Sequence, residues 1–85
     1  MPTLIDFYAD WCKPCMDMMP VMEEIEAENR VEVHRINADT QPELVAQYDV
    51  KGLPTLILAH EGTEISRHVG SADKNKIDRM IVAGF

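Results

Sequence analysis

Apolar and polar positions along the chain fall into short runs and stripes, each long enough for one element. Thr3 to Tyr8 is an apolar run broken only by Asp6, the pattern of a strand buried on both faces. From Cys12 to about Glu28 the spacing becomes helical: Met18, Met19, Met22 and Ile25 form a buried stripe, and Glu23, Glu24, Glu26 and Glu28 form the solvated face. Pro20 predicts a kink in that helix. Asn29-Arg30 closes it, and Val31 to Asn37 then alternates as a strand, with Val31, Val33 and Arg35 at inward parity. Thr40-Gln41-Pro42-Glu43 predicts a helix start with Thr40 as N-cap and Glu43 completing a capping box, followed by an apolar face of Leu44 and Tyr48.

Leu56 to Ala59 is a second buried strand, which Pro54 can precede but not interrupt. His60 to Thr63 predicts a hairpin turn, and Glu64 to Val69 the returning strand, with Ile65 and Val69 inward and Glu64, Ser66 and His68 outward. Gly70 ends that strand. Ser71 is the expected cap of a last helix that packs Ile77, Met80 and Ile81 on the sheet and leaves Asp73, Lys74, Lys76 and Asp78 outside. The order βαβαββα predicts an α/β fold: a four-stranded mixed sheet, order 2-1-3-4, with helices on both faces. Strands 1 and 2 run parallel, and strand 3 runs antiparallel to strand 1.

Length and composition narrow the function. A chain of 85 residues holds one domain, 1–85, with no room for a second, so any substrate binds at the surface. With 46% apolar and 27% charged residues it reads as an ordinary globular protein, and no run is long enough to span a membrane. The N-terminus enters a strand at once, without a basic stretch or cleavable site, so a cytoplasmic location is expected. A net charge of −7, with Lys and Arg dispersed, disfavours nucleic acid. No acidic spacing suggests calcium, and His34, His60 and His68 read as surface residues without a ligand role.

The chemistry lies in Asp10-Trp11-Cys12-Lys13-Pro14-Cys15, which holds both cysteines. Two cysteines spaced C-x-x-C at a helix start are close enough to close a short disulfide loop, and helix N–H groups there favour a thiolate at Cys12. Cys12 is then the nucleophile and Cys15, one turn inside, the resolving thiol. Lys13 adds a cation that should lower the Cys12 pKa further. A structural zinc site is the alternative, but it needs four ligands, and one C-x-x-C with three scattered histidines does not supply them. Strand parity puts Asp6 on one face with Leu4 and Tyr8, where burial should raise its pKa. Arg35, a cation of inward parity, needs a partner, unless it reaches past the strand edge to solvent.

Phe7-Tyr8-Ala9-Asp10-Trp11-Cys12-Lys13-Pro14-Cys15, the later Gly52-Leu53-Pro54-Thr55 and then Val69-Gly70 resemble the thioredoxin family over nearly the whole chain. The resemblance implies a minimal thioredoxin fold lacking the N-terminal strand and helix, as in small archaeal thioredoxins and glutaredoxins. It implies that Asp6 is a general acid/base for Cys15 and that Arg35, where the family typically has lysine, approaches Asp6. Leu53-Pro54 becomes a cis bond lying against the disulfide, with the backbone of Leu53 pairing with extended substrate. Trp11 and Gly70 flank that clamp. Lys13, where thioredoxins usually carry glycine, should make the disulfide more oxidising, and Tyr8 replaces a common tryptophan.

The activity implied is protein disulfide reduction without a bound cofactor, by a monomer re-reduced by a thioredoxin-reductase-like donor. A glutaredoxin-like, glutathione-dependent enzyme is the nearest alternative, although Trp11 and Leu53-Pro54-Thr55 differ from its usual centre and clamp. A non-catalytic protein-binding module using the apolar rim of Trp11, Leu53 and Gly70 is another.

Overall fold

The structure is a computed structural model that describes residues 1–84. Four strands, β1 (Thr3–Tyr8), β2 (Glu32–Asn37), β3 (Thr55–His60) and β4 (Thr63–Val69), form one sheet in the order β2-β1-β3-β4. β1 pairs with β2 in parallel and with β3 antiparallel, and β3 pairs antiparallel with β4. The helices are α1 (Lys13–Asp17), α2 (Met19–Ala27), α3 (Pro42–Gln47) and α4 (Lys74–Gly84). Leu4 of β1 and Leu56 and Leu58 of β3 pack with Met18, Met22, Ile25, Ile77, Met80 and Ile81, so α2 and α4 cover one sheet face. On the other face Ile5, Phe7 and Ile57 pack against Leu44, Val45 and Tyr48, placing α3 there. The expected sheet order and two-sided covering are both present.

Local chemistry explains where these elements begin and end. The kink expected at Pro20 is a break at Met18 between α1 and α2: proline has no N–H to offer the Met16 carbonyl, and the ladder resumes with Met22 N–H on Met18 O at 2.9 Å. Asn29 follows α2 in the left-handed conformation (φ 58°), a helix-terminating position that asparagine tolerates. Asp49 does the same after α3 (φ 53°), where Val50 N–H bonds Val45 O and Asp49 N–H bonds Ala46 O, the paired bonds of a Schellman motif. Glu61 and Gly62, both at positive φ, make the two-residue turn between β3 and β4.

Three local expectations are corrected. Thr40 does not cap α3; Gln41 occupies that position without a side-chain bond, Thr40 Oγ1 donates to Asn37 O, and Pro42 starts the helix. Ser71 does not cap α4. The Asp73 carboxylate accepts from Lys76 N–H at 2.9 Å, which makes Asp73 the cap. In β4 the parity is displaced by a bulge: Leu58 pairs with Ser66 but Ala59 pairs with Glu64, so Ile65 is the extra residue. Ser66 and His68 consequently lie opposite Leu58 and Leu56 and are half-buried, whereas Ile65 and Val69 are 42% and 54% exposed.

The cap assignment has a direct test. Asp73→Ala should lower stability by about 1 kcal/mol, whereas Ser71→Ala should leave it within about 0.5 kcal/mol, as read by urea denaturation.

Candidate active site at the end of the central strand

β1 runs through the middle of the sheet and ends at Tyr8; Ala9, fully buried, then begins a turn closed by Cys12 N–H on Ala9 O at 3.1 Å. Cys12 sits at the N-cap of α1 in extended conformation, and Cys15 lies in the first turn. The two form a disulfide with Cα atoms 5.2 Å apart. Cys15 N–H also points at Cys12 Sγ, 3.3 Å away, so a helix-start donor rests on the first sulfur. Both sulfurs are well covered, Cys12 5% and Cys15 1% exposed, in a cluster with Ala9, Tyr8 and Leu53.

The Leu53–Pro54 bond is cis, and Leu53 packs on the cysteine cluster. Gly70 N–H donates to Pro54 O at 2.8 Å and Thr55 Oγ1 donates to Gly52 O at 2.6 Å, which ties this loop to the end of β4. Gly70 has φ +105°, a backbone that side chains rarely adopt. Trp11 is 71% exposed, and its indole N–H donates to Asp39 Oδ2 at 2.8 Å. Between Trp11, Asp39, Val45, Val50, Gly52 and Leu53 lies an open cavity of about 400 Å³ beside the cysteines. Sequence reading missed Asp39. It comes from the turn after β2, held by Ala38 N–H on Tyr8 O and by Asp39 N–H on Asn37 Oδ1, and its only sequence signal is the turn residues Asn37 and Asp39.

Lys13 pairs along its own helix. Its ammonium lies 3.1 Å from the Asp17 carboxylate, one turn along α1, and both side chains are mostly exposed. The cation expected to act on Cys12 thus shares its charge with a neighbouring carboxylate in solvent. Pro14, in the first turn of α1, replaces an N–H that has no helical acceptor.

Asp6 is 1% exposed in the middle of β1, and neither carboxylate oxygen has a hydrogen-bond partner among the described residues. Burial therefore raises its pKa from 3.8 to about 6, and the Arg35 charge opposes part of that rise. Arg35 is its lateral neighbour on β2, yet no ion pair forms: the guanidinium turns out to Glu26, 3.5 Å away, leaving Arg35 Nε buried without a partner. Asp6 lies on the same face between Leu4, which packs on α2, and Tyr8, which packs on the cysteine cluster. It thus lies between the α2 core and the cysteine cluster. Among the described residues no group of three or more His, Cys, Asp or Glu side chains converges to hold a metal.

Asp6 couples stability to pH. Its folded pKa exceeds its unfolded one, so the folded state holds the proton more tightly and the contribution is complete below about pH 4. It is lost as pH rises through about 6. Between pH 4 and pH 8 the loss amounts to about 2–3 kcal/mol. Asp6→Asn should remove this slope: relative to the parent in the oxidised form, the variant should gain that amount between pH 4 and pH 8 in urea denaturation.

Known proteins resemble this chain in sequence and fold. The family model described as thioredoxin matches residues 1–83. Thioredoxin from Chlamydia caviae is 46% identical over 79 residues, covering 92% of this chain and 78% of that protein. A bifunctional thioredoxin reductase/thioredoxin from Mycobacterium leprae is 41% identical over 75 residues, covering 86% of this chain and 16% of that longer protein. Among solved structures, a mutant thioredoxin from Halobacterium salinarum superposes with a TM-score of 0.92 at 35% identity, over 96% of this chain and 73% of that one. Taken with the disulfide at the end of the central strand, these likenesses show that the chain belongs to the thioredoxin family and is a thiol–disulfide oxidoreductase.

Proposed function

We propose that this protein reduces disulfides in other proteins, with Cys12 as nucleophile, Cys15 as resolving thiol and Asp6 as the base that serves Cys15. The observation that carries the assignment is Cys15 N–H on Cys12 Sγ: a donor fixed at the first sulfur stabilises negative charge there and nowhere else in the pair. In the reduced protein the Cys12 thiolate attacks one sulfur of a target disulfide. A Cys12–target bond forms, the target bond breaks, and the other target sulfur leaves as thiolate. Cys15 then gives its proton to Asp6 and attacks Cys12 Sγ. The second target sulfur is released, the Cys12–Cys15 disulfide closes, and two electrons have passed to the target.

An Asp6 that ionises near pH 6 is mostly carboxylate at neutral pH and accepts that proton without solvent access. Target binding falls to the loop around cis Leu53–Pro54: Leu53 offers its backbone to an extended segment, and Trp11 and Gly70 border it. Two electrons then return from a separate thioredoxin-reductase-like donor, a pairing supported by the M. leprae relative whose name joins both activities. The protein works without a cofactor of its own, as a monomer in the reducing cytoplasm, where a lone dithiol cycles and does not serve as a permanent staple. No helix among the described residues is long and apolar enough to cross a membrane.

Incubated with a disulfide-bonded peptide, the Cys15→Ser variant should accumulate a mixed disulfide whose mass equals protein plus one peptide half, released by added thiol. Cys12→Ser should accumulate none; trapping by Cys12→Ser instead would reverse the assigned roles. Asp6→Asn should slow release from the mixed disulfide by about 10²-fold at pH 7 while leaving the first attack within about twofold, as followed by stopped-flow tryptophan fluorescence.

A further inference from the structure

The chain sets eight Lys and Arg against fifteen Asp and Glu. Six of the eight cations are in ion pairs: Lys13 with Asp17, Arg30 with Glu28 and Asp78, Arg35 with Glu26, Lys51 with Asp49, Arg67 with Glu64, and Lys74 with Glu28 and Asp78. Lys76 and Arg79 have no such partner among the described residues. Three positions apart on α4, they project from the same side of the helix, and both line one cavity of about 360 Å³ between α4 and β4. Ile65, Met80 and Ala83 supply its apolar wall. Ser66 lines it as well, with its Oγ buried beneath the groove surface.

These features meet because of the bulge in β4. Inserting Ile65 turns Ser66 toward α4 and leaves Ile65 beside Gly84, where the absent side chain lets α4 approach Leu58 closely. We propose that this groove binds an acidic segment of a partner protein. One carboxylate sits between Lys76 and Arg79, and an adjacent apolar side chain covers Ile65, Met80 and Ala83. The size of the cavity favours a segment over a lone ion. It has room for about a dozen waters at roughly 30 Å³ each, so a single anion would leave the apolar wall wet. Charge favours it too. A chain of net charge −7 repels an acidic segment over most of its surface and accepts it where, among the described residues, two cations stand without an ion pair. The groove shares no lining residue with the cavity beside Trp11, so it acts independently of the thiol chemistry.

The test uses the whole protein, ¹⁵N-labelled, and three probes: a short blocked peptide of alternating glutamate and leucine, the same peptide with glutamine for glutamate, and inorganic phosphate at matched ionic strength. The glutamate peptide should shift the amides of Ser66, His68, Lys76 and Arg79 saturably, and the glutamine peptide should bind at least tenfold more weakly. The double variant Lys76→Gln with Arg79→Gln, both surface side chains, should also weaken binding at least tenfold, and raised salt should weaken it in the parent alone. Phosphate producing the same shifts with equal affinity would overturn the proposal in favour of a simple anion site. Shifts centred on Trp11 and Leu53, or binding unchanged in the double variant, would overturn it outright.

Discussion

The structure depends on β1 being paired along both edges. Pairing on both edges puts β1 in the middle of the sheet, where α2 and α4 cover one face and α3 the other, so every side chain from Leu4 to Phe7 is buried, whatever its polarity. Three consequences follow from that one constraint. Leu4, Ile5 and Phe7 anchor the two cores; Asp6 is carried into the interior without a hydrogen bond; and the chain leaves the sheet at Tyr8 straight into the cysteine turn. The antiparallel partner β3 begins at the same end of the sheet, which sets the cis Leu53–Pro54 bond against the sulfurs.

This arrangement costs stability at Asp6, the residue proposed as the base for Cys15. A buried carboxyl whose pKa has risen to about 6 is mostly charged at neutral pH, and the nearby Arg35 relieves that cost only in part because its guanidinium is turned to Glu26. An apolar residue there would be the more stable choice. The position fits the proposed role, a carboxyl that holds and releases a proton away from water.

Most of the fold was legible because its elements announce themselves over several residues. The buried runs at Thr3–Tyr8 and Leu56–Ala59, the Met18–Ile25 stripe and the Glu61–Gly62 turn each repeat one signal, and topology follows from their order. What failed was decided by single contacts. Asp73 outcompetes Ser71 as a cap because its carboxylate reaches Lys76 N–H, and one extra residue at Ile65 reverses the faces of β4 from Ser66 onward; neither leaves a trace in periodicity. In the site, Cys12, Cys15 and the proline loop could be read from spacing and resemblance. Asp39 could not, since its bond to Trp11 spans 28 positions and depends on how the turn after β2 folds. Lys13 was visible as a cation near Cys12, but the residue that shares its charge, Asp17, matters only once the helix turn brings the two together.

That last pair bears on the central claim, that Cys12 and Cys15 act as a reductant. A free cation beside Cys12 would favour the thiolate and make the disulfide more oxidising, whereas a cation paired with Asp17 in solvent has little leverage on the sulfur. The direct test is the midpoint potential of the Cys12–Cys15 couple, read by Trp11 fluorescence in graded thiol–disulfide buffers. The account predicts a value close to the roughly −270 mV that is the reference for thioredoxin. A value of about −200 mV or above, in the range of glutaredoxins and oxidants, would contradict it.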